Sequence, residues 1–153
     1  MRQYLYIFLI ALLPVIELRG AIPVGAGMGL HWLPNALVSV LGNMLPVPFI
    51  LLFIRLVLDF MKTRGILPRF VDWLEHKAAK GAAQIEGRAL VGLCIFVALP
   101  LPGTGAWTGA LAASLLGMHR GRALAAIFAG VLLAAVLVSL ISYGVLNFLS
   151  FIL

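Results

Sequence analysis

Two charged residues, Glu17 and Arg19, interrupt an apolar stretch near the start of the chain and are the first candidates for chemistry. An ionisable side chain within a membrane costs about 2.5 to 3.5 kcal/mol on insertion scales, so it indicates a function by default. Glu17 could carry a proton, meet a cationic substrate, or form a structural ion pair with Arg19 or Arg88. Arg19 is permanently charged and suits bidentate contact with a phosphate or a carboxylate.

Glycines and prolines follow this charged pair and recur in a second stretch, PLPGTGAWTG. Glycine lets the backbone approach a ligand, and a helix that restarts after a break offers free N–H groups and the positive end of its dipole. We therefore expect the two breaks to form an anion-attracting site, with Gly20 and Pro23 shaping the first. The alternative is that the GxxxG pairs in both stretches only allow tight helix packing. The residues expected at the second break are Pro100, Pro102, Gly103, Thr104, Gly105 and Trp107.

Other polar residues within the apolar stretches are accessory candidates. Asn43 could line a cavity or bridge two helices. Arg55 and Asp59 stand four residues apart and could form either an interfacial pair or a relay. Arg88 and Arg120 flank the second break.

The remaining reactive residues argue against several classes of function. The three histidines lie far apart in the sequence, and the single cysteine, Cys94, has no metal-ligand partner nearby. The sequence therefore predicts no metal site and no cofactor. It also contains no Ser/His/Asp set and no paired carboxylates, so we do not expect an enzyme.

The overall composition is that of an integral membrane protein. The 153 residues are 63% hydrophobic and 10% charged, whereas about a quarter of the residues in soluble proteins are charged. The net charge of +6 does not indicate nucleic-acid binding, because six of the basic residues fall between residues 62 and 88. Such a cluster between apolar halves is typical of a cytoplasmic loop.

The apolar stretches alternate between short and long. A transmembrane helix needs about 20 residues, so residues 4–16 and 89–99 are too short to cross a bilayer. Residues 35–61 and 123–153 are long enough. Prolines at positions 46 and 48 should kink or interrupt the first of these long stretches.

The order short, broken, long occurs twice, which predicts two repeats within one transmembrane domain of residues 1–153. If each broken segment enters and leaves by the same face, the halves are inverted copies; if it crosses fully, they are parallel. We favour the former: an all-α membrane protein of two inverted repeats, each a re-entrant helical hairpin plus a long transmembrane helix. The predicted parts are the first repeat (1–61), a cytoplasmic amphipathic linker helix (62–88) and the second repeat (89–153).

The halves align when Gly20 is set against Gly103 and Gly42 against Gly130, with an insertion of a few residues between these pairs. Interrupted apolar segments at matching positions of two repeats indicate the binding site of a transporter. Non-helical backbone at membrane depth is tolerated only within protein or around a wet cavity. The two breaks should therefore face each other in the centre of the molecule.

The motifs ELRGAIPVG and PLPGTGAWTG resemble those of the small multidrug export family, which looks distantly related to the DedA membrane proteins. The resemblance covers essentially the whole chain. It implies inverted repeats with two re-entrant hairpins in a bacterial or archaeal cytoplasmic membrane. DedA-like relatives imply proton-dependent transport of a lipid carrier phosphate such as undecaprenyl phosphate, or lipid scrambling. Glu17 and Arg19 match the acidic residue and the arginine of the first hairpin, whereas the second hairpin carries no charge.

We thus predict a small transporter with Glu17 as the proton-linked group and Arg19 as the anion contact. The expected substrate is an amphiphile with a phosphate head, followed by an amphiphilic cationic drug. A lipid-binding protein, a scramblase or an assembly factor without a transport cycle is the alternative. Membrane lipids are expected partners, and a homo-oligomer is expected because one copy offers little wall for a sealed path.

Overall fold

The structure is a computed structural model that describes residues 2–63, 86–101 and 103–152. Within these ranges the chain forms seven α-helices and no strand. The predicted all-helical fold is therefore confirmed for the described residues. Most of the predicted linker helix, residues 64–85, lies outside them.

The first half contains four helices, two of which form one long element with a one-residue interruption at Leu45. Pro46 begins the last helix directly after Leu45, and a proline is tolerated there because the first turn of a helix has N–H groups without intrahelical partners. The predicted interruption at this proline is thus confirmed. Residues Trp32–Ile54 are long and apolar enough to cross a membrane. The helices are α1 (Arg2–Leu12), α2 (Glu17–Gly27), α3 (Trp32–Met44) and α4 (Pro46–Thr63).

The second half contains two short helices followed by one long helix. The long helix includes the second candidate membrane span, Arg120–Val145. The predicted order of short, broken and long segments is therefore present in both halves. The helices are α5 (Glu86–Ala98), α6 (Ala106–Leu115) and α7 (Arg120–Ile152).

A glycine in each long element allows a short helix to pack closely against it. A Cβ atom at Gly42 of α3 would lie 2.6 Å from the carbonyl oxygen of Phe8 in α1. A Cβ atom at Gly130 of α7 would lie 2.6 Å from the carbonyl oxygen of Cys94 in α5. The alignment of these two glycines in the sequence is thus matched by their packing.

The helices α2 and α6 end in the same way. Gly29 and Gly117 follow them with φ angles of 73° and 65°, a left-handed conformation that glycine adopts without strain. The next residue in each half, Leu30 or Met118, donates its N–H to a carbonyl five residues back, at 3.0 Å in both cases. Gly29 and Gly117 are 88 residues apart in the sequence, and so are Gly42 and Gly130.

This spacing corrects part of the predicted alignment. When Gly29 is aligned with Gly117, Glu17 corresponds to Gly105, and Gly20 corresponds to Thr108 rather than Gly103. The prediction was wrong here because the connection between α5 and α6 is longer than the connection between α1 and α2.

Each short second helix packs against the long helix of the other half. The helix α2 contacts α7, and α6 contacts α4. The resulting core contains Ile22 and Val47 from the first half together with Ile127 and Val131 from the second. Because of this exchange, Glu17 and Gly105, which stand where the breaks end, meet in the interior. The first break itself, residues 13–16, is exposed, so the expectation that the breaks face each other in the centre holds only for these end residues.

Candidate functional site

Glu17 begins α2 immediately after the first break, Leu13–Ile16, and lies against the second half of the chain. Only 4% of its surface is exposed, and its φ of 52° is unusual for a residue other than glycine. Its Oε1 atom accepts a hydrogen bond from the backbone N–H of Trp107 at 3.4 Å. The carboxylate therefore occupies the N-terminal end of α6, where free N–H groups and the helix dipole favour a negative charge.

Gly105 provides the space that this carboxylate needs. A Cβ atom at this position would overlap the carboxylate of Glu17. The backbone of Gly105 is extended, with φ of −175°, so the need for glycine is steric and not conformational. The N–H of Gly105 donates to the hydroxyl of Thr108 at 2.8 Å, which leaves the carboxylate to the N–H groups further along the helix.

Arg19 connects the two breaks. Its Nη1 atom lies 3.3 Å from Oε2 of Glu17. Its Nη2 atom donates to the carbonyl oxygens of Val97 at 3.0 Å and Leu99 at 2.7 Å, and to the hydroxyl of Thr104 at 3.2 Å. The guanidinium thus satisfies carbonyls at the C-terminal end of α5, where a positive charge is favourable.

Thr104 holds the second break in shape. Its hydroxyl lies within hydrogen-bonding distance of the carbonyl oxygens of Leu99, at 2.8 Å, and Leu101, at 3.0 Å. Gly103 precedes it with φ of 82°, a conformation that favours glycine. The loop therefore folds back on itself and presents the threonine hydroxyl to Arg19.

Two N–H donors at this site have no partner within the described part of the chain. These are Nε of Arg19 and Nε1 of Trp107, and both atoms are buried. A buried donor without a partner costs about 1 to 3 kcal/mol. Both residues contact the carboxylate of Glu17 through other atoms, so each unpaired donor belongs to a residue that contacts the acid.

An apolar groove adjoins the site between α4 and α6. Its volume is about 760 Å³, and it includes Phe49, Phe53, Leu111 and the side chain of Trp107. Leu12, at the end of α1, also lines it. Trp107 therefore belongs to both the groove and the charged site.

A comparison with known proteins identifies the family. The family described as "Putative small multi-drug export protein" matches residues 17–137, which begin at the acid of the site, directly after the first break, and include the second break. The chain belongs to this family. Together with the two apolar helices that are long enough to span a bilayer, this makes it a membrane protein of the small multidrug export family. A comparison with curated proteins gave no match, and neither did a comparison with solved structures.

Gly20 and Pro23 do not form the first break, as the sequence analysis expected, but lie within α2. A Cβ atom at Gly20 would overlap the side chain of Ile16, and Pro23 is exposed. The break lies earlier because Pro14 has no N–H and its ring would clash with the carbonyl one turn before it, which ends α1 at Leu12.

The accessory candidates are distributed over the molecule. Arg88 and Arg120 are exposed in the first turns of α5 and α7, and the ionic partner of Glu17 is Arg19. Asn43 is 1% exposed in α3. Three candidates cannot be placed: the side chains of Arg55 and Asp59 on α4, and Pro102, lie outside the described part of the structure. Among the described residues, no group of three metal-ligating side chains occurs.

Sequence reasoning missed a second polar cluster. Asn35 is fully buried and donates to the carbonyl oxygen of Ile22 and to the hydroxyl of Tyr143, both at 2.9 Å. Tyr143 in turn donates to the carbonyl oxygen of Leu30 at 2.8 Å. The available signal was the four-residue spacing of Asn35, Ser39 and Asn43 within an apolar stretch.

Proposed function

We propose that this membrane protein is a proton-coupled transporter of an amphiphilic anion, with a lipid carrier phosphate such as undecaprenyl phosphate as the leading substrate. The observation that carries the proposal is that two buried donors on the residues that contact the buried acid, Arg19 Nε and Trp107 Nε1, lack partners within the described part of the chain. A phosphate head supplies oxygen acceptors for such donors. Arg19 is then the anion contact, and Glu17 is the proton-linked group.

The charges at the site favour an anion over a cation. Both carboxylate oxygens of Glu17 already have partners, Arg19 on one side and the N–H of Trp107 on the other. A cationic substrate would have to displace them, whereas an anion meets donors that are unused. The family description supports the second candidate, export of amphiphilic cationic drugs.

The groove between α4 and α6 supports an amphiphile rather than a small inorganic anion. It is wholly apolar and shares Trp107 with the charged site. An acyl or isoprenoid tail in this groove would place its head group beside Arg19. Each buried CH₂ group of such a tail contributes about 0.8 kcal/mol.

Protonation of Glu17 supplies a coupling step. A neutral carboxyl group no longer attracts the guanidinium, so the Nη1 atom of Arg19, now 3.3 Å from Oε2, is released for a phosphate oxygen. Loss of the proton restores the ion pair and expels the anion. Proton movement and head-group movement are thereby linked at one arginine.

The proposed architecture is a pair of inverted repeats with re-entrant hairpins. The helices α1 and α2 pack against each other across a short break, which fits a hairpin better than a helix that continues across the bilayer. The matching helix ends and the exchanged packing of α2 and α6 fit a twofold relation between the halves. We place the chain in a bacterial or archaeal cytoplasmic membrane, with the linker on the cytoplasmic side, as a homo-oligomer.

Reconstitution tests this function. Liposomes would carry undecaprenyl phosphate in the inner leaflet and a pH gradient, and the phosphate that becomes accessible outside would be measured over time. The unaltered protein should move it in a gradient-dependent way, and Glu17→Gln should abolish that dependence. The control Arg2→Gln removes a charge from an exposed residue of α1 and should leave the dependence intact.

Other results would each overturn this proposal in favour of a named alternative. Gradient-independent movement of many lipids would indicate a scramblase. Extrusion of a cationic dye that survives Arg19→Ala but not Glu17→Gln would indicate drug export. Failure to move any amphiphile would leave a lipid-binding or assembly role.

A further inference from the structure

Three polar side chains form a buried row along one face of α3. Asn35, Ser39 and Asn43 follow each other at intervals of four residues, which places them on neighbouring turns. They are 0%, 0% and 1% exposed. The Oδ1 atoms of both asparagines and the hydroxyl of Ser39 have no hydrogen-bond partner within the described part of the chain.

A fourth such oxygen lies on the helix that packs against α3. The hydroxyl of Ser139 on α7 is buried and also lacks a partner among the described residues. Ser139 stands four residues before Tyr143, whose hydroxyl accepts from Asn35. Asn35 contacts Tyr143 of α7 through Nδ2, and its Oδ1 atom lies against Gly25 of α2. The row therefore lies where α3 packs against α7 and α2.

The spacing of the row fits bridging water molecules. Four residues of helix rise about 6 Å, which is close to the span of two hydrogen bonds of about 2.8 Å through one water. A single cation does not fit, because the two asparagines are separated by about 12 Å along the axis. Water that bridges unsatisfied buried polar groups is a regular part of protein interiors.

The ends of the row can be placed from contacts. At one end, Asn35 is joined through Tyr143 to the carbonyl oxygen of Leu30, in the turn between α2 and α3. At the other end, Gly42 packs against α1 near Ala11, and α1 ends at Leu12, directly before the first break. The row therefore leads from a turn at the end of α2 to the level of the break that begins α2 at Glu17.

The second half of the molecule has no such row. The residues 88 positions further on are Ala123, Ile127 and Val131, and all three are apolar and 0% exposed. A long helix in this fold thus packs well without polar side chains at these positions. The row is a property of one half, which argues against a general role in helix packing.

We propose that the contact between α3 and α7 holds a file of water molecules that carries protons between the Leu30 turn and Glu17. A proton taken up at the turn passes from water to water, and the last water gives one proton to the carboxylate, which becomes a carboxylic acid. One proton moves and no electrons are transferred. The apolar residues of the second half close the equivalent route, so Glu17 communicates with one face of the membrane only. The role of Glu17 as the acceptor rests on the proposed function, whereas the presence of the water file does not.

Accessibility of introduced thiols to silver ions tests the water file without a substrate or a gradient. The native thiol is removed by Cys94→Ala, and Ser39→Cys is compared with Ile127→Cys, its counterpart in the second half. Thiols left unreacted by silver are counted with a maleimide after denaturation. We expect Ser39→Cys to react about tenfold faster or more, because a thiol must ionise in contact with water to react.

A second pair of cysteine variants at corresponding positions allows the comparison to be made even if one variant of the first pair does not fold. Asn43→Cys and Val131→Cys probe the deeper position of each half in the same way, and all variants must elute as single species in detergent. Equal rates within both pairs, whether fast or slow, would overturn the water file. If the thiol results support it but Glu17→Gln still couples transport to the gradient, the water file stands and the proton role of Glu17 fails.

Discussion

At the residue scale, the site depends on side chains from one half that find their partners in the other. Glu17 reaches the N–H of Trp107, and Arg19 reaches the carbonyl oxygens of Val97 and Leu99. Removing one member of a buried ion pair costs about 3 to 5 kcal/mol, because the remaining charge loses its partner. Both residues therefore hold the breaks together in addition to any role in transport.

Gly105→Ala should lower the free energy of unfolding by about 1 to 3 kcal/mol, because its methyl group would overlap the carboxylate of Glu17. Unfolding in mixed detergent micelles measures the change. The control Gly92→Ala has open space around it and should be neutral or stabilising by up to about 1 kcal/mol. In a Glu17→Ala background the cost of Gly105→Ala should largely vanish. An unchanged cost there would contradict the assigned contact.

The sequence indicated which charged residues are candidates for a function, but it did not indicate which groups they contact in the fold. Glu17 and Arg19 could be predicted because charges in an apolar stretch are expensive. The acceptors of Arg19 could not, because Val97 and Leu99 offer only backbone carbonyls that any sequence provides. Asn35 was missed because one amide in a helix gives no indication of burial, and only the four-residue spacing that it shares with two further polar residues of α3 indicates a common face.

At the element scale, the matching ends of α2 and α6 are the clearest common feature of the two halves. Both ends need a left-handed residue, and glycine supplies it at positions 29 and 117. The turns that follow determine where α3 and α7 begin, and so place the long helices relative to the short ones.

Gly29→Ala should destabilise the protein by about 1 to 2 kcal/mol, because an L-residue is strained at φ of 73°. The control is Gly27→Ala in the same turn, which also has no atom within 4 Å of its Cβ position but lacks a positive φ. The two variants thus differ in backbone conformation and not in space. Thermal unfolding followed by circular dichroism should separate their midpoints; coincident midpoints would contradict the assigned conformation.

Gly130→Ala should move α5 away from α7, because its Cβ would lie 2.6 Å from a backbone carbonyl that cannot rotate aside. We expect a loss of about 1 to 3 kcal/mol. Gly144→Ala on the same helix has nothing within 4 Å and should cost nothing. Chemical unfolding of the two variants measures the difference, and equal stability would show that α5 does not approach this closely.

Element types could be predicted from lengths and apolar runs, but the first break could not be placed correctly. Glycine and proline at positions 20 and 23 resemble a break, yet both lie within α2. Pro14 ends α1 instead. Tertiary contacts, which a local pattern does not contain, decide which of two prolines interrupts a helix.

At the scale of the whole molecule, the halves are interlocked through α2 on α7 and α6 on α4. The outer surface is largely apolar, with Phe49, Phe53 and Leu140 each at least 64% exposed. A surface of this kind suits lipid rather than water. The low fraction of charged residues and the lengths of the apolar stretches predicted the membrane environment. Neither repeat's sequence predicted that its short second helix packs against the long helix of the other half.

Two fragments, residues 1–75 and 76–153, should assemble when they are produced together, because each supplies the packing partner of the other's short helix. An affinity tag on one fragment should recover both in equal amounts from detergent extracts. Gly105→Ala in the second fragment should reduce the recovery, and Gly92→Ala should not. Fragments that purify separately as folded monomers would contradict the interlocked packing.

The position of Arg19 has a consequence for how any ligand could act. The hydrogen bonds of its guanidinium with Val97, Leu99 and Thr104 hold the C-terminal end of α5 next to the start of α6. A ligand that binds Nε and the released Nη1 atom leaves these three contacts in place, because all of them are made by Nη2. The second break can therefore remain closed while the site is occupied.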